Sequence, residues 1–154
     1  MEPDTVRAFF AALEEEHVDY VLVGALAMDV LGIGRLTEDI DIFVRPTADN
    51  IDRLRRALRH VWQDPSINEI TAADLAGDYP AIQYVAPDGT PIDIVSRLGE
   101  AFEFADLVAT VYAYGDVKVK VATPQTLYRM KRDTVRLRDK ADAQLLKEKF
   151  GLKD

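Results

Sequence analysis

Residues 20–44 read YVLVGALAMDVLGIGRLTEDIDIFV, and this stretch decides the fold. Tyr20–Val23 is a short apolar run rich in β-branched side chains and ending at Gly24, which predicts a buried strand. Residues 25–32 are Ala-, Leu- and Met-rich and predict a short helix closed by Gly32. Residues 39–44, DIDIFV, alternate strictly, the pattern of a strand with one wet face. Strand geometry then sends Asp39, Asp41 and Phe43 to one face and Ile40, Ile42 and Val44 to the other. The two carboxylates lie about 7 Å apart at the backbone, so both can lean onto one or two cations. Alone, an Asp-x-Asp on a half-exposed strand reads as two solvated acids; the neighbouring features change that.

Upstream, Gly24-Ala25 sits where the buried strand turns into the helix. Glycine there permits close backbone approach, and free N–H groups at a helix start favour a phosphate. Downstream, TPIDIVSR predicts a strand with Asp93 between Ile92 and Ile94, so that the acid faces away from the core. Three carboxylates from two strands beside a phosphate-receptive turn suit two-metal phosphoryl transfer. That chemistry positions charge and needs neither histidine nor cysteine.

The remaining elements extend the pattern outward. Residues 4–16 predict a helix with Val6, Phe9, Phe10 and Leu13 on one face. Thr47 predicts the cap of a helix over 48–62, whose Ile51, Leu54, Leu58 and Val61 keep helical spacing. Residues 63–80 are weakly patterned, with TAADLA as a turn of helix, and 97–106 read as loop. Residues 81–86 and 91–96 flank Pro87-Asp88-Gly89-Thr90, a hairpin signal; 107–113 and 117–122 flank Gly115-Asp116, a second. Thr123-Pro124 starts a helix or helix pair over 124–149, with Leu127, Met130, Thr134, Leu137, Ala141 and Leu145 along one stripe. Hairpins exclude an all-parallel sheet. The expected fold is α/β (α+β), a mixed β-sheet flanked by helices in a single domain over 1–154 with a helical C-terminal segment.

Composition narrows the function. The chain has no cysteine and two histidines, His17 and His60, neither with a partner at ligand spacing. Any metal must therefore take oxygen ligands, which favours Mg²⁺ or Mn²⁺. A net charge of −8 argues against a general nucleic-acid binder. The charge is uneven, because the segment from residue 115 onward is basic. It reads either as a solvated helix face or as a surface receiving phosphates beside an acidic site. No apolar run reaches the roughly 20 residues of a membrane span, and the N-terminus lacks a secretion signal. A cytoplasmic location is expected.

The stretch YVLVGALAMDVLGIGRLTEDIDIFV resembles the signature of the DNA polymerase β-like nucleotidyltransferase superfamily: strand, Gly-Gly or Gly-Ser, helix, then a strand bearing Asp-x-Asp. With Gly32, Arg35 and Thr37 leading into Asp39, it is similar to small bacterial nucleotidyltransferases, including abortive-infection toxin types and small antibiotic nucleotidyltransferases. The resemblance continues through Asp93 and the closing TPQTLYRMKRDTVRLRDKADAQLL. It implies a nucleoside triphosphate (NTP) substrate, ATP among the candidates, and an acceptor that is a small molecule, a tRNA or a protein. Asp39, Asp41 and Asp93 would be the catalytic, metal-binding carboxylates, and Gly24 and the Ala25 amide would contact phosphates. Thr37 and Arg35 would touch the nucleotide, Arg35 reading equally as a surface charge. Lys131 reads as a triphosphate contact or a solvated helix lysine, and Arg138, Lys140 and Asp142 are fainter candidates. One departure is Ala25, where the family usually has Gly or Ser. It removes a hydroxyl contact worth on the order of 1 kcal/mol. Two other readings stand beside this one: a non-catalytic component of a toxin–antitoxin pair, and a carboxylate-based metal nuclease.

Overall fold

The computed structural model describes residues 1–154. Pro3–Glu15 forms α1, which buries Val6, Phe9, Phe10 and Leu13 as the spacing predicts. Tyr20–Val23 is β1, buried at every position, and Gly24–Val30 is the short helix α2. Ile40–Val44 forms β2 and Ala48–Val61 forms α3. Thr47 Oγ1 accepts the Asn50 amide at 3.3 Å and thereby satisfies one of the orphan donors at the start of α3. TAADLA supplies α4, Ala72–Ala76, capped by Thr71.

The two predicted hairpins are present. Ala81–Val85 (β3) pairs antiparallel with Pro91–Val95 (β4). Residues 97–106, expected as loop, instead hold a two-residue hairpin, Arg97–Leu98 (β5) with Phe102–Glu103 (β6). Strands that short carry no periodicity to read. Ala109–Tyr114 (β7) pairs antiparallel with Val117–Ala122 (β8). Pro124–Arg132 (α5) and Leu137–Phe150 (α6) close the chain.

The main sheet has six strands in the order β3-β4-β2-β1-β8-β7. β1 runs antiparallel to β2 and parallel to β8, and β2 runs parallel to β4, so the sheet is mixed as expected. One core of 38 buried residues joins sheet and helices. Phe9 of α1 meets Trp62 at a ring-centroid distance of 6.0 Å, and Trp62 meets Tyr84 of β3 at 6.3 Å. No helix is long and apolar enough to cross a membrane.

Two expectations change. Phe43, predicted on the wet face with the aspartates, is fully buried, so that face is open only at the Asp39–Asp41 end. The C-terminal stripe does not run through. Leu137 is 84% exposed, and α6 turns Asp142, Ala143 and Leu146 inward instead. The break at 133–136 resets the helical phase, and a single spacing rule cannot cross it.

Candidate active site

Sheet register builds the site. In the parallel β2–β4 pair Asp41 lies directly opposite Asp93, and in the β1–β2 pair Val23 lies opposite Asp41. Residues directly opposite in a ladder project to the same face, so the two carboxylates share one surface of the sheet. Asp39 precedes β2 by one residue and joins them. All three line one cavity of about 550 Å³ together with Gly24, Ala25, Thr37 and Lys131.

Gly24 has a specific reason to be glycine. Its φ is +73°, a left-handed conformation costly for other residues, and a Cβ placed there would overlap the Asp41 carboxylate. The glycine therefore makes room for the acid as well as turning the chain.

The three acids crowd one another. Burial pushes the Asp41 carboxyl up to about 7, and a hydrogen bond to Asp93 with the charges of Asp93 and Asp39 pushes the same way, against the pull of Lys131. Asp39 is raised too, by desolvation first and then by Asp93. A cation among these carboxylates would relieve their mutual repulsion. No group of three or more Asp, Glu, His or Cys side chains stands close enough together in this structure to hold one metal ion, so the three acids are not a preassembled ligand set. The donors are nonetheless all hard oxygens, the set that suits Mg²⁺ or Mn²⁺.

The opposite wall is basic and comes from the helical segment: Lys131 on α5, Arg136 at the elbow, and Arg138 on α6. These cations are partly engaged. Lys131 Nζ lies 3.1 Å from Asp142 Oδ2 and 3.6 Å from Asp139 Oδ1. Asp142 is only 2% exposed and also pairs with Arg35. Thr134 Oγ1 donates to Asp139 at 3.0 Å.

Of the residues singled out from sequence, Gly24, Ala25, Thr37, Asp39, Asp41, Asp93, Lys131, Arg138 and Asp142 meet at the cavity. Arg35 does not line it; its guanidinium turns to Asp142 and its Nε is buried without a partner. Lys140 stays on the surface, away from the cavity. Thr37 Oγ1 donates to the Asp39 carbonyl at 2.7 Å, which shapes the approach to β2. Leu36, Glu38, Arg136 and Asp139 line the cavity without having been singled out. Charged residues in a polar segment carry no sequence signal that separates lining from solvent.

Carboxylates on neighbouring strands beside a glycine turn, faced by cations from a helical segment, are the layout expected of a nucleotidyltransferase. The family model of the nucleotidyl transferase AbiEii toxin, from type IV toxin–antitoxin systems, matches residues 7–149, and the chain belongs to that family. No curated protein matches the chain.

Proposed function

We propose that this chain transfers a nucleoside monophosphate from an NTP to an acceptor hydroxyl, with Asp39, Asp41 and Asp93 holding Mg²⁺ or Mn²⁺. The observation that carries the reading is the placement of Asp39, Asp41 and Asp93 around one cavity beside the Gly24 turn, with Asp41 opposite Asp93 across the β2–β4 pair. Charges compressed in this way gain from a divalent ion and from little else in water. When bound, such ions would neutralise the triphosphate and lower the pKa of the attacking hydroxyl.

The chain's own groups do the positioning. The Gly24-Ala25 turn and Lys131 border the cavity where phosphates would lie, and Arg136 and Arg138 add positive charge. The acceptor oxygen attacks the α-phosphorus as the bridging P–O bond to the β-phosphate breaks. Pyrophosphate leaves, and the hydroxyl proton passes to Asp93. Placement and electrostatics supply the catalysis.

The test is incubation with labelled NTPs, Mg²⁺ and candidate acceptors (small hydroxylated molecules, tRNA, proteins). Label should enter one acceptor class and be lost in Asp41→Ala. Absence of label with every NTP and acceptor would refute the transfer reaction. Two features favour a second reading, a non-catalytic member of a toxin–antitoxin pair: Ala25 offers no hydroxyl to a phosphate, and Lys131 is held by two acids. Calorimetry separates the two, since this second reading requires that Mg²⁺-ATP and Mg²⁺-GTP both fail to bind.

A further inference from the structure

One row of polar side chains crosses three strands at the open end of the sheet. Gln83 on β3 lies opposite Asp93 on β4, and Asp93 lies opposite Asp41 on β2. Gln83 Nε2 donates to Asp93 Oδ1 at 3.0 Å, the only hydrogen bond from a non-acidic donor to this carboxylate in the structure. Gln83 is exposed on an edge strand, where core packing places no demand on its identity. Its alternating neighbours are Ile82 and Tyr84, which face the core side.

A carboxylate on a strand can rotate about its last torsion, and metal ligands held by an outer hydrogen bond keep a fixed orientation. An amide bonded to one oxygen of Asp93 restrains that rotation and leaves the other oxygen without a donor from a neighbouring non-acidic side chain. We propose that Gln83 is a positioning residue that orients Asp93 for a divalent cation. This inference rests on the metal site proposed above. A purely structural role is the competing account, and it differs in one respect: it would act whether or not Asp93 can bind metal.

Calorimetric titration of the full chain with Mn²⁺ decides between them, using wild type, Gln83→Met, Asp93→Asn and the double variant. Methionine keeps the length of glutamine and removes the donor. Gln83→Met should weaken Mn²⁺ binding about tenfold in the wild-type background. It should change nothing in the Asp93→Asn background, because the amide acts only through that carboxylate. Its metal-free melting temperature should match wild type. Unchanged affinity in Gln83→Met, or an equal loss in both backgrounds, overturns the inference while the metal site stands. Failure of wild type to bind Mn²⁺ overturns both.

Discussion

Two clusters of charge lie on opposite walls of the same cavity, and they are built on opposite principles. At the ends of β2 and β4, three carboxylates share one cavity with little compensation, and burial first, then Asp93 and Asp39, pushes the Asp41 carboxyl up to about 7. On the helical wall, Asp142 is more deeply buried than any of them, yet it is ion-paired with both Arg35 and Lys131. The first cluster is unsatisfied until something positive arrives; the second is satisfied by the chain itself. A buried charge with partners ties elements together, here the loop before β2 to α5 and α6. Crowded like charges weaken the fold unless a counter-charge joins them.

Asp41→Asn breaks the first cluster and should give the largest effect. Nucleotidyl transfer should fall about a thousandfold, equivalent to roughly 4 kcal/mol of transition-state stabilisation. The same variant should melt higher than wild type in EDTA at pH 8, because one repelling charge is gone. An activity loss together with a lower melting temperature would contradict the account of crowding.

Asp142→Ala attacks the second cluster. It strands Arg35, leaves Lys131 with Asp139 alone, and should cost about 3–5 kcal/mol of stability. For a chain of this size that lowers the melting temperature by about 10 °C, readable by calorimetry. A loss within a degree or two would show that the triad does not brace the helical wall.

The pH response sharpens the contrast. Because the folded protein holds the Asp41 proton more tightly than the unfolded chain, this group destabilises the fold once ionised. Its penalty is absent below the ordinary value of 3.8, grows as pH rises, and is complete above about 7. Metal-free wild type should therefore lose stability relative to Asp41→Asn between about pH 4 and 8, on the order of 2 kcal/mol after allowance for solvent screening. The difference between the two proteins isolates this group from Asp52, Asp64, Asp88 and Asp154. Hydrogen bonds from neighbours hold those carboxyls below their usual range, except that Asp88 is held there against burial; their stabilisation is lost in the opposite sense, as pH falls. Saturating Mg²⁺ should flatten the wild-type slope, and a slope indifferent to Mg²⁺ would contradict the cation site.

Arg136→Ala is the mildest break. The arginine is exposed and lies 3.8 Å from Asp139, so its loss should cost less than about 1 kcal/mol of stability. Its effect belongs to binding: KM for the NTP should rise several-fold with kcat nearly unchanged.

Legibility from sequence followed the range of the interactions. Alternation in DIDIFV, helical spacing in 4–16 and 48–62, the threonine caps and the two Gly-containing turns are local signals, and each produced its element within a residue or two of the expected bounds. The short β5–β6 hairpin escaped, and the helix pair within 124–149 was left open without a place for its break, because neither segment holds enough residues to show a period. In the site, the acids could be named from their strands, yet nothing local distinguished Gln83 from any other exposed strand residue.

By itself the sequence determined the strand that carries Asp41 with Asp39 at its entrance, the turn at Gly24 and the helices that cover the sheet, since patterning and caps act within a few residues. Only tertiary structure decided that Asp93 stands opposite Asp41, that Gly24 is glycine to admit the Asp41 carboxylate, and that Arg35 turns away from the cavity to Asp142. Those outcomes depend on strand register and on a pairing across 107 positions. Residues that far apart in the chain meet only when the whole core is assembled.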